Sequence, residues 1–224
     1  MEKNKLIIIV GHYGSGKTEF ALNYAVRLKM QGTEPVIVDM DIVNPYFRAR
    51  ELKGRRSMKN IKIISGNYED DHHLDMPALS PALKTYFESE DDTSIVDVGG
   101  DPAGAHALSG YSKYIEGRDY SMWVAVNANR PKTSDAEGAI EYIRAIEDSS
   151  KLKITGLLNT THLLRETTAA HVVKGDALVK EIEDITGIKA VYTVVTTDLL
   201  PKVKELNVSG EIFPIKLLLL PDWL

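Results

Sequence analysis

Cysteine is missing from this chain of 224 residues. That absence excludes structural disulfides, thiolate metal sites and cysteine-held iron–sulfur clusters, and it fits an intracellular, cytoplasmic setting. No run approaches the roughly 20 apolar residues that a membrane span requires. The apolar stretch near the amino terminus is too short and too soon interrupted for a signal peptide. The sequence also lacks a basic excess: the formal net charge is −5, so bulk attraction to nucleic acid is not expected. Low-complexity linkers and internal repeats are missing too, and a single domain over residues 1–224 is the simplest organisation.

Apolar, β-rich runs alternate with helical stretches. Strands are expected at 6–10, 35–39, 61–64, 94–98, 122–126, 154–158 and 190–195, with an edge strand at 212–218. Helices are expected at 17–31, 77–89, 133–148 and 171–186, and a shorter one near 46–53. Such alternation specifies an α/β fold with a doubly wound, mostly parallel sheet and helices on both faces. Ligands in such folds sit outside the carboxyl ends of the strands.

The first strand runs directly into Gly11-His12-Tyr13-Gly14-Ser15-Gly16-Lys17-Thr18 and then into a helix. Every constrained position of the phosphate-binding P-loop is met, in the strand–loop–helix order the chemistry needs. Backbone N–H groups of such a loop wrap phosphate oxygens, and the helix N-terminus adds partial positive charge. Lys17 is placed to reach the β- and γ-phosphates, and the Thr18 hydroxyl to bind Mg²⁺. The sequence therefore points to a nucleoside triphosphate, with Gly11, His12, Tyr13, Gly14, Ser15, Gly16, Lys17, Thr18 and Glu19 as the cradle.

Acids follow two of the strands. Asp39 and Asp41 lie one residue apart, so an extended backbone would point them the same way. Asp97 and Val98 end the fourth strand and are followed by Gly99-Gly100-Asp101-Pro102. Beside a triphosphate, such acids hold Mg²⁺ and its waters and orient an attacking water, while Gly100 offers an N–H to the γ-phosphate. The competing reading is a set of helix or turn caps.

Together, the P-loop, Asp39-Met40-Asp41 and Asp97-Val98-Gly99-Gly100 resemble the SIMIBI class of P-loop NTPases. The likeness is to the MinD/ParA/Mrp group, the CobQ/CobB/MinD/ParA nucleotide-binding domain. That resemblance implies a sheet of about seven to eight strands, ATP with Mg²⁺, and slow hydrolysis coupled to a nucleotide-dependent homodimer. Carried across, Lys17 contacts phosphate, Thr18 ligates Mg²⁺, Asp39 and Asp97 hold its waters, and Asp41 orients the hydrolytic water. The group carries a lysine where this chain has His12 and a glycine where it has Tyr13. His12 could donate to phosphate but is no permanent cation; a solvent-facing His12 is the other reading, with Arg48 or Arg50 supplying charge instead.

Base choice is read at Asn159-Thr160-Thr161-His162. In the resembled class an asparagine here bonds adenine, whereas guanine-specific relatives read Asn-Lys-x-Asp. Thr160 and His162 stand where that lysine and carboxylate would be, which favours ATP; Asn159 as a turn former is the alternative. Other polar groups are Asn127-Ala128-Asn129-Arg130 on the ligand side, Asn44-Pro45-Tyr46-Phe47 as a docking element or helix start, and a weak metal-site motif at Asp70–Asp75.

The leading expectation is a slow ATPase whose nucleotide state switches residues 41–53 and 99–112 and a protein partner. Two further readings stay open. One is an ATP-dependent small-molecule kinase or ligase, with Arg130, Asp101 and His106 lining a second pocket; the other is a noncatalytic nucleotide-binding scaffold.

Overall fold

A computed structural model describes residues 6–40, 58, 61–65, 81–89 and 93–219. The expected helix near 46–53, Asp41, Arg48, Arg50 and the Asp70–Asp75 motif lie outside the described residues.

Eight strands form one sheet: β1 (Leu6–Val10), β2 (Pro35–Met40), β3 (Lys62–Ser65), β4 (Thr93–Val98), β5 (Tyr120–Val126), β6 (Gly156–Asn159), β7 (Ala190–Thr196) and β8 (Glu211–Ile215). Their spatial order is β3-β2-β4-β1-β5-β6-β7-β8, and every neighbouring pair is parallel. β1 is wholly buried, as its β-branched run requires of a central parallel strand. The order reverses between β4 and β5, on either side of β1, which sets the ligand crevice at the mouth of β1.

Seven helices connect the described strands: α1 (Lys17–Met30), α2 (Pro81–Glu88), α3 (Pro102–Ser109), α4 (Ser112–Glu116), α5 (Ala136–Ser150), α6 (Ala169–Thr186) and α7 (Leu200–Val203). They cover both faces. On one face, α1 buries Phe20 and Tyr24 against Trp123, Tyr192 and Phe213, with ring centroids as close as 5.0 Å for Phe20 and Phe213. On the other, Ala105, Leu108, Ile140, Ile143 and Leu178 pack on the alternate residues of the same strands.

Boundaries follow local chemistry. α5 starts at Ala136, later than the expected 133, because the Asp135 carboxylate accepts from Gly138 N–H at 2.9 Å and Pro131–Thr133 forms a separate 3₁₀ turn. α6 starts two residues earlier than expected, where Thr168 and His171 form a reciprocal cap. α3, α4 and α7 were not anticipated. The signal for α3 was present in Asp101-Pro102, a cap followed by proline at the first helical position. β8 stops at Ile215 rather than 218. The next residues are held by α1 instead: Asn23 exchanges hydrogen bonds of 2.9 Å with the backbone of Lys216 in both directions.

Candidate nucleotide-binding site

The loop between β1 and α1 curls through two left-handed glycines, Gly14 at φ 72° and Gly16 at φ 91°, conformations that side chains with a Cβ rarely adopt. Ser15 N–H closes the turn onto His12 O at 2.9 Å. α1 begins at Lys17 with no side-chain cap, and a helix N-terminus of this kind favours an anion. Ser15 is buried and its Oγ has no hydrogen-bond partner among the described residues. Gly11 and Gly100 are required for closeness. A methyl on Gly11 would lie 2.6 Å from Ser15 Oγ, and one on Gly100 would lie 2.7 Å from Tyr13 N. Gly100 thus packs directly on the P-loop backbone.

Two carboxylates stand beside the cradle. Ile9, Asp97 and Asp39 are register partners across β1, β4 and β2. In a parallel sheet such a row shares one face, here the α1 face, since Ile7, Ile9, Ile37 and Ile95 pack with Phe20. Asp39 and Asp97 are 5% and 1% exposed, and Lys17 is buried at the head of α1. The cradle, the buried lysine and the two acids are therefore assembled from residues up to 86 positions apart, Gly11 to Asp97. Thr18, half-buried, follows Lys17 in the first turn of the helix.

Other expected ligands have different placements. His12 presents its ring edge-on to Tyr142 at 6.1 Å, and Tyr13 is 60% exposed. The Tyr142 hydroxyl donates to Gly100 O at 3.4 Å; burial, with the Asp101 charge, pushes its pKa well above the ordinary tyrosine value. The Glu19 carboxylate accepts from the backbone N–H groups of Leu218 and Leu219, so it braces the chain after β8 rather than the phosphate loop. Asn159 is likewise committed to the scaffold. Its Nδ2 donates to Val172 O at 3.0 Å and its Oδ1 accepts from Thr161 N–H at 3.2 Å. Asp101 accepts from Gly104 N–H at 2.6 Å as the cap of α3, and His106 is exposed.

Sequence reasoning undervalued the flank formed by the β5 and β6 loops. Arg130 Nε donates to Gly14 O at 2.8 Å. The ring of His162 lies over Gly16, with Cε1 3.1 Å from where a methyl on that glycine would sit. His162 Nδ1 is 2.8 Å from Thr160 O and 3.2 Å from Asn127 Nδ2. Burial holds His162 below its ordinary basicity; the Thr160 bond opposes this and the charge of Arg130 adds to it. Arg130 and His162 are both visible in the sequence, but nothing local shows that they fold onto Gly14 and Gly16.

No protein-family model matches this sequence, and no curated protein does. Solved structures do match the fold. The cell division protein FtsY of Thermotoga maritima is 15% identical with a TM-score of 0.55, covering 85% of this chain and 61% of that one. FtsY of Mycoplasma mycoides is 18% identical with a TM-score of 0.54, again covering 85% and 61%. The chain thus spans about three-fifths of the length of those proteins. The architecture is that of the P-loop NTPases, an all-parallel eight-stranded sheet with helices on both faces.

Proposed function

We propose that this chain, as one domain, binds Mg²⁺–ATP at Gly11–Thr18 and hydrolyses it slowly as a nucleotide-dependent switch of the MinD/ParA-like kind. The row formed by Ile9, Asp97 and Asp39 carries the proposal, because it sets two buried carboxylates on the α1 face, beside the mouth of the P-loop. A hydroxyl and two carboxylates are the hard oxygen donors that Mg²⁺ prefers, directly or through water. Thr18, Asp39 and Asp97 would hold the ion, which when bound neutralises charge on the phosphate oxygens.

In this reading Lys17 and the amides of the cradle stabilise the transferring phosphoryl group, Gly100 adds its N–H, and Asp41 orients the attacking water. His12, whose ring packs against Tyr142, would donate to a phosphate oxygen. Base choice rests on His162, which stands where a guanine-reading carboxylate would be; a neutral imidazole cannot replace that charge. Asn159 would reach the base only by giving up its bonds to Val172 and Thr161. The kinase reading loses support from Asp101, which caps α3.

Purified protein with Mg²⁺ is assayed for phosphate release from ATP and from GTP, without an acceptor. We expect release from ATP, loss of binding in Lys17→Ala, and retained binding without release in Asp41→Ala. Preference for GTP would overturn the purine assignment. Turnover only with an added metabolite pool would indicate a kinase or ligase, and binding with no turnover a scaffold. A mass increase in light scattering with a nonhydrolysable analogue is the expected sign of the homodimer.

A further inference from the structure

The turn after β5 is built to hold one side chain still. Asn127 is fully buried. Its carbonyl accepts from Arg130 N–H at 3.0 Å and from the Thr133 hydroxyl at 2.8 Å, and its Oδ1 takes the Asn129 N–H at 3.0 Å. Pro131 keeps Arg130 extended, at φ −115° and ψ 136°, as a residue before proline prefers. From α6, Lys174 Nζ donates to Ala128 O at 2.9 Å and Asn129 Oδ1 at 3.2 Å. The platform is latched from its own backbone, its side chains and a neighbouring helix.

From that platform the guanidinium crosses to the phosphate loop. Nε donates to Gly14 O at 2.8 Å. A methyl on Gly14 would lie 2.9 Å from Nε, 3.0 Å from Cζ and 3.2 Å from Nη2, so the planar group lies against the glycine Cα. Its Nη nitrogens have no hydrogen-bond partner among the described residues, and no carboxylate among them pairs with the group. Between Gly11 and Thr18 the only permanent cation is Lys17, which is buried at the start of α1. The crest at Tyr13–Gly14 has none of its own. A guanidinium fixed by one nitrogen, with its fork open and no counter-anion, matches the planar, bidentate demand of phosphate oxygens.

We propose that Arg130 is a phosphate-reading residue of this site, giving its fork to the terminal phosphate of the bound triphosphate; the proposal rests on the nucleotide-binding reading above. A residue that only braced Gly14 would support di- and triphosphate equally. One that contacts the terminal phosphate discriminates between them.

The test measures affinities for ATP and ADP, and for GTP and GDP, with Mg²⁺ in wild type, Arg130→Ala and Arg130→Lys. The His162 imidazole is titrated by NMR in each nucleotide-free protein. Expected are a roughly 10- to 100-fold loss of triphosphate affinity in Arg130→Ala, with diphosphate affinity changed less than about threefold. Arg130→Lys should fall between, since it restores charge without the fork. The His162 titration should move up toward its ordinary value in Arg130→Ala, reporting that the arginine sat where described. Equal losses for both nucleotides, or none, alongside that NMR shift would overturn the phosphate contact and leave nucleotide binding intact. A wild-type protein that binds none of the four nucleotides would overturn the underlying reading as well.

Discussion

Gly100→Ala tests whether the end of β4 and the phosphate loop are one rigid unit. The added methyl would stand 2.7 Å from Tyr13 N, 3.0 Å from Gly11 O and 3.1 Å from the His12 carbonyl carbon. Attractive contact begins near about 3.5 Å, so the nearest approach falls about 0.8 Å short. All three opposing atoms are backbone, and no side chain can swing aside. The P-loop or the β4 end must shift. Overpacking of this kind costs about 1–3 kcal/mol, or about 3–10 °C in Tm for a chain of this size. Function should suffer more than stability, because displacement of order 1 Å in a positioned site costs about 100-fold in rate. The assay pairs thermal unfolding with nucleotide titration and phosphate release. Gly117→Ala is the control: its methyl would meet nothing nearer than 3.7 Å, and it should stay within about 0.5 kcal/mol of wild type. Wild-type affinity, turnover and Tm in Gly100→Ala would refute the packing argument.

Two further outcomes follow from the β6 loop. Asn159→Ala removes a fully buried amide and strands both Val172 O and Thr161 N–H, so urea unfolding should report a loss of about 2–4 kcal/mol; a loss below about 0.5 kcal/mol would return this side chain to ligand duty. His162 has its folded basicity depressed below the ordinary value of 6.5. The unfolded chain therefore takes the proton first as pH falls, so the stabilising contribution is complete well above that value and is lost as pH drops below it. The stability–pH profile should slope downward below about pH 6.5, and His162→Gln should flatten that part of the slope.

The cradle was legible because its constraints are local. Gly14 and Gly16 need left-handed backbone, Lys17 and Thr18 follow at fixed offsets, and the buried β1 run announces a central strand. The acids at Asp39 and Asp97 were legible because each ends an apolar run, although their shared row required the strand order. What the sequence hid depends on partners far along the chain. Asn159 reads equally as ligand or scaffold until α6 arrives; that approach is set by Gly175, where a methyl would lie 2.3 Å from Asn159 Oδ1. Glu19 reads as part of the cradle until its carboxylate finds Leu218 and Leu219, some 200 residues away. Arg130 shows its charge in any alignment of letters, but not its reach across 116 residues to Gly14.

The brace between α1 and the segment after β8 also orders events on the ribosome. β1 and α1 are made before the other strands of the sheet, yet β1 lies between β4 and β5, and Phe20 packs among Trp123, Tyr192 and Phe213. Asn23 and Glu19 wait for Lys216, Leu218 and Leu219. A nascent chain thus carries an apolar strand and helix whose docking partners have not been translated, the situation in which long-range topologies fold slowly and need protection. On the proposed reading, nucleotide should therefore be captured only once β8 and Leu219 have been synthesised, and a ribosome stalled before β8 should display a phosphate loop that is complete in sequence and empty-handed in function.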